Sequence, residues 1–164
     1  MVHGSRVSRL FCAVVVSLHL SRQPSRVKLK ATVGLRDLVG NGFPALEVLQ
    51  FAVTNHGERP VIVSNIGWVV GKRSERRYAV QLFGSQMSVD VPQTLAHGQR
   101  ADFLVYFSER PDWMEDFAKN FVQSDAPAVL ASLTAEIYTS VDQTVQVKPE
   151  LAFLKRLSEA FKVS

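Results

Sequence analysis

The chain has a single cysteine, Cys12, in 164 residues. An internal disulfide is excluded, so the fold must rest on packing alone. Cys12 sits in an apolar run, the opposite of the electropositive setting that activates a thiolate. That run, LFCAVVVSLHL (10–20), is eleven residues long, against the about 20 that a bilayer-spanning helix needs. The four histidines, His3, His19, His56 and His97, are scattered and lack metal-ligand spacing. No G-x-S-x-G elbow, P-loop or G-x-G-x-x-G occurs. These gaps predict a protein that is not an enzyme, with no cofactor, no metal and no small-molecule substrate.

Acidic residues are missing from the first thirty positions, which carry Arg6, Arg9, Arg22, Arg26, Lys28 and Lys30. The formal charge of +4 therefore belongs to this segment. The remainder holds 13 basic groups (19 less 6) against 15 acidic ones, a net of −2. A nucleic-acid-binding domain usually carries its excess positive charge on the folded body, so this distribution argues against one. The basic start and short apolar run resemble a signal peptide, but SLHLSRQPS offers no A-x-A-like cleavage triplet. A membrane anchor, an uncleaved signal, a strand built on Val14–Val16 and a plain extension all stay open. Localisation leans to membrane-associated or cytoplasmic.

What is present reads as β-structure. RVKLKATVGL (26–35) alternates apolar Val27, Leu29, Ala31 and Val33 with Lys28, Lys30 and Thr32, the period of a half-buried strand. VGNGFP (39–44) is a loop. LEVLQFAVTN (46–55) is a second strand, with a bulge or a face change predicted near Val48 because its two apolar sets fall on opposite faces. Asn55–Pro60 is a charged turn. Val61 and Val63 then run out of phase with Ile66 and Trp68, which predicts a second bulge around Asn65. GKRSERR (71–77) is another charged turn before YAVQLF (78–83). After a long connection, ADFLVYF (101–107) alternates again. PDWMEDFAKNFVQ (111–123) places Met114, Phe117, Ala118, Phe121 and Val122 on one helical face, with Asp112 and Glu115 spaced as a capping box. VLASLTAEIYTS (129–140) and QTVQVKP (143–149) read as a closing hairpin. ELAFLKRLSEAFK (150–162) reads as a terminal helix with Leu154, Leu157 and Phe161 on one face.

Short strands with turn signals every 8–15 residues predict a mainly β fold: an immunoglobulin-like β-sandwich with one inserted helix and a C-terminal helix. The expected organisation is a basic and apolar N-terminal extension (1–25), a β-sandwich domain (26–149) and a C-terminal helix (150–164). V-T-N-x-G-x-R-P-V-x-V-x-x-I-G-W (53–68), P-x-x-L-x-x-G (92–98) and T-S-V-D-Q-T (139–144) together resemble an uncharacterised bacterial family of short immunoglobulin-like β-sandwich proteins. Its members often carry an N-terminal membrane segment. The resemblance covers about residues 26–149 and implies a fold but no catalytic residue. Here the apolar run is shorter than a membrane segment.

The leading functional expectation is a non-enzymatic interaction or structural module for a protein partner, tethered to a membrane surface by its N-terminus. The alternative is a binder of nucleic acid or anionic surfaces through residues 6–30 and the 72–77 turn. The candidate interaction residues are Lys72, Arg73, Arg76 and Arg77 in that turn, and His56, Glu58 and Arg59 in the first one. Each also has a plain role as a solvated loop charge, and charged tips guard strand edges. Glu109, Asp112, Glu115 and Asp116 cluster at the predicted helix start, where capping and the helix dipole account for them without a ligand.

Overall fold

The computed structural model describes residues 27–40 and 44–162. The apolar run 10–20 and the arginines at 6, 9, 22 and 26 lie outside the described residues. So does part of the 39–44 loop.

The chain is mainly β, with two antiparallel sheets and a C-terminal helix. Strands β1 (Leu29–Leu38), β2 (Leu46–Asn55) and β6 (Arg100–Tyr106) form a three-stranded sheet in the order β1-β2-β6. Strands β3 (Val61–Val70), β4 (Arg77–Val80), β5 (Gln93–Leu95), β7 (Thr134–Thr139) and β8 (Thr144–Val147) form the second. Its order is β4-β3-β7-β8, and β5 also pairs with β3. The charged turn after Asn55 therefore carries the chain from one sheet to the other.

The sheets share one apolar core. Val33, Leu49, Phe51, Val53 and Phe103 from the first sheet meet Val63, Ile66, Trp68, Ala135 and Ile137 from the second. Phe51 and Trp68 make an edge-to-face contact across the layers, with ring centroids 5.3 Å apart. The out-of-phase pattern in β3 has the predicted cause: its register against β7 shifts between Val63 and Asn65. That single slip lets Val61 and Val63 before it, and Ile66 and Trp68 after it, all face inward.

Four local expectations change. No bulge interrupts β2 at Val48, which keeps continuous register with both neighbours. Val48 is buried on the outer face instead, between its cross-strand partners Arg36 and Tyr106. The 111–123 helix is not uniform. A short α1 (Trp113–Asp116) widens into a π-helix, Phe117–Val122, and closes with Gln123 N–H donating to Ala118 O at 2.7 Å. The wide turn brings Phe117, Ala118 and Val122 inside together. Asp112 makes no side-chain capping bond there. Finally, residues 129–133 are not strand. Pro127 opens a short helix α2 (Pro127–Ser132), as a first-turn proline followed by Ala, Val, Leu and Ala can, and β7 starts only at Thr134.

The last helix, α3 (Leu151–Ala160), packs on the chain's own core. Phe153 stacks on Trp68 at 5.6 Å with rings 14° from parallel. The predicted Leu157 is buried, while Leu154 and Phe161 are partly buried beside it. Glu150 seats the helix start on β1. Its N–H donates to Val33 O, and its carboxylate accepts both Arg36 guanidinium arms, at 2.7 and 2.5 Å. The hydrogen bond from Arg36 holds the Glu150 carboxyl below its usual range. A side chain on Gly34 would overlap that carboxylate.

Candidate functional site

The two clusters singled out in the sequence stand at opposite ends of β3. Nine residue steps of strand separate them by about 30 Å. The structure does not bring them together.

At the first end, the turn is organised by Asn55, which is fully buried. Its side-chain amide donates to Leu95 O and Arg59 O, both at 2.9 Å, and its Oδ1 accepts Gly57 N–H at 2.8 Å. Its main chain pairs with Gln99 and Gly98. His56 N–H donates to Lys28 O, and His97 Nδ1 donates to Gly57 O at 3.0 Å. Two loops thus meet at this end, through main-chain groups and the side chains of Asn55 and His97. The side chains of His56, Glu58 and Arg59 are exposed.

At the other end, Lys72, Arg73 and Arg76 are exposed on a 3-10 turn, Arg73–Glu75. Arg77 has a structural role. Its guanidinium donates to Val122 O at 2.6 Å and Gln123 Oε1 at 2.7 Å, satisfying carbonyls at the end of the π-helix. It fastens β4 to that helix.

Between β4 and this helix lies a feature that neither cluster contains. An open groove of about 520 Å³ runs beside β4, walled by residues 79–82 on one side and by the 109–120 segment on the other. Trp68 and Phe117 also line it. Trp68 Nε1–H donates to Gln81 Oε1 at 3.0 Å, and Gln81 Nε2 donates to Leu82 O. Three of the four clustered acids, Glu109, Asp112 and Asp116, face the groove, together with Arg110. Glu115 instead pairs with Lys119 at 3.6 Å.

β4 ends its sheet, and no described strand pairs with its outer edge. Gln81 N–H donates to Ile66 O at 2.9 Å. By antiparallel alternation Ala79 and Arg77 also turn their main-chain groups to β3, and Tyr78, Val80 and Leu82 turn theirs outward. The side chains of these last three are 61%, 60% and 65% exposed. Leu82 O is taken by Gln81 Nε2, but the other outward main-chain groups have no partner among the described residues, so the edge is apolar and open, the arrangement that soluble sheets ordinarily blunt.

The outer face beside β4 holds a polar cluster. Glu136, only 7% exposed, accepts from Tyr138 O–H at 2.5 Å and from Gln146 Nε2 at 2.9 Å. Burial first, and the Glu136 carboxylate second, push the Tyr138 hydroxyl up to about 12. An unfolded tyrosine ionises near 10. The stability this raised value contributes is whole below about pH 10 and is lost as pH climbs to about 12. Tyr138→Phe leaves Glu136 short of a donor and is expected to cost about 1–3 kcal/mol at neutral pH. It should also flatten the alkaline fall in stability, as read by urea unfolding at about pH 7 and pH 11.

Among the described residues no group of three or more His, Cys, Asp or Glu could hold a metal ion, and no helix is long and apolar enough to cross a membrane. No family model matches the chain, and no curated protein matches it. The X-ray structure of Northeast Structural Genomics Consortium target SoR45 resembles 76% of this chain over 81% of its own. Identity is 8% and the TM-score is 0.27, too slight a likeness to carry an argument.

The groove was only half legible in the sequence. YAVQLF was visible as a strand with apolar residues on both faces, and the acids at 109–116 were visible as a cluster. Their juxtaposition depends on β4 lying at an edge, which strand pairing across distant parts of the chain decides.

Proposed function

We propose that this chain is a non-enzymatic interaction module on an immunoglobulin-like β-sandwich, and that it binds its partner by strand addition at the β4 edge. The observation that carries this reading is the exposed row Tyr78, Val80, Leu82 along an edge whose outer main-chain groups, Leu82 O apart, have no partner among the described residues. Added strands gain affinity from main-chain hydrogen bonds and specificity from alternate side chains. The helix on the other side of the groove is held rigidly, since Trp113 stacks on Phe117 at 4.8 Å and Phe117 packs on Trp68 at 5.1 Å. A membrane tether through residues 10–20 belongs to the same reading. Binding of nucleic acid or anionic lipid through residues 6–30 and 72–77 is less favoured, because Arg77 is committed to the π-helix and Lys28 lies at the far end of β3.

Display of random peptides against the full chain tests the reading. Enriched sequences are expected to be extended, rich in β-branched and aromatic residues, and lost on Val80→Pro. Val80 turns its N–H outward, so proline there removes an edge donor without breaking the ladder to β3. No enrichment, or equal enrichment on the folded variant, would sink the proposal.

A further inference from the structure

We infer that the partner at the β4 edge is a second copy of this chain, joined antiparallel about a two-fold axis at Val80. The inference rests on the strand-addition reading and adds to it the charge layout along β4.

The two ends of the edge carry opposite charges. Lys72, Arg73 and Arg76 stand at the start of β4 and are exposed. At its other end, Ser85 Oγ donates to Glu109 Oε1 at 2.8 Å, which fixes that acid just beyond the strand. Asp112 follows on the same groove wall. The helix wall runs antiparallel to β4, since Arg77 at the strand start holds Val122 at the helix end. Glu109 and Asp112 against Arg110 leave the end of β4 net acidic, and Lys72, Arg73 and Arg76 against Glu75 leave its beginning net basic.

An antiparallel two-fold pairing superposes these ends. With Val80 opposite itself, Tyr78 faces Leu82 of the second copy, and Leu82 faces Tyr78. The outward main-chain groups exchange about four hydrogen bonds, with Leu82 O already accepting from Gln81 Nε2, and the exposed apolar side chains form one row on the outer sheet face. Arg76 then falls opposite Gly84 of the second copy, one residue from the Ser85 that anchors its Glu109. The same contact repeats on the other side of the axis. Such self-complementarity is what an isologous interface requires. A parallel pairing would set base against base and acid against acid. The strand is short, so the dimer is expected to be weak, with a Kd on the order of micromolar and a clear dependence on salt.

Sedimentation velocity of the full chain across a concentration series tests this, at low and high salt. A concentration-dependent dimer, weakened by salt, is expected. Val80→Pro and Val80→Lys should both be monomeric with unchanged circular dichroism. Reversing the base end (Arg73→Glu with Arg76→Glu) or the acid end (Glu109→Lys with Asp112→Lys) should each weaken self-association about tenfold or more. Mixing the two reversed chains should restore a heterodimer, because the reversed base end of one then faces the reversed acid end of the other. A chain monomeric at every concentration overturns the inference. So do folded reversed chains that fail to form the heterodimer, or a dimer indifferent to Val80→Lys. If the chain is monomeric and yet peptides still enrich on wild type but not on Val80→Pro, self-pairing falls and strand addition stands. Loss of both removes the shared premise. Hydrogen exchange of residues 78–82 gives a further check: protection should rise with protein concentration, and full protection in the monomer would place another part of the chain on the edge.

Discussion

Trp68→Ala is expected to lower the unfolding free energy by about 3–5 kcal/mol, the range for emptying a buried aromatic site. Trp68 is 1% exposed and touches the opposite sheet, the π-helix and α3. Phe51 meets it from the opposite sheet, Phe117 from the π-helix and Phe153 from α3. Truncation therefore loosens four elements at once. It also removes the donor to Gln81 Oε1, which is buried. Since whole domains are stable by about 5–15 kcal/mol, the variant should lie near its unfolding transition at room temperature. Trp68→Phe keeps most of the ring packing and should cost clearly less. Urea unfolding followed by far-ultraviolet circular dichroism separates the two. Equal losses would mean that the indole hydrogen bond, not the packing, dominates.

Asn55→Leu is expected to cost about 2–4 kcal/mol, for a different reason. The substitution keeps the bulk but strips partners from Gly57 N–H, Leu95 O and Arg59 O in a fully enclosed place. Asn55→Asp should be as damaging at neutral pH, since a carboxylate replaces two donors facing carbonyl oxygens. It should recover partly as the pH falls and the carboxyl takes a proton. Alanine at His56, Glu58 or Arg59 should stay within about 0.5 kcal/mol, as for exposed charges without fixed partners. Thermal unfolding of the series would decide it. A large loss at Arg59, with Asn55→Leu tolerated, would reverse the assignment of roles at this turn.

This contrast marks how far the sequence could be read. Strand positions followed from alternation wherever one face was buried, as in β1 and β6. The slip in β3 was legible because two apolar pairs were out of phase. The supposed slip in β2 failed because both its faces are covered, and alternation cannot separate a bulge from a doubly buried strand. The helix over 111–123 was placed correctly by its apolar face, but its widened turn follows from packing against Trp68. Capping by Asp112 was inferred from spacing that the backbone does not use. For the candidate site, listing charged turns found the ends of β3. It missed the edge, whose signal was the outward row Tyr78, Val80, Leu82 in a segment otherwise read as ordinary strand. Its meaning depends on which strand lies beside it, and that is set by residues far away in the chain.

The position of β3 also governs the order in which a growing polypeptide can fold. Its pairing partners, β4, β5 and β7, all emerge from the ribosome after it, and β7, which pairs along most of its length, emerges last. β1 and β2 are adjacent in the chain and can close as a hairpin early. A nascent chain stalled before Thr134 would thus display Val61–Val70, ten residues rich in valine, without its longest partner. That stretch is where a chaperone would need to hold during synthesis, and where truncated products would begin to aggregate.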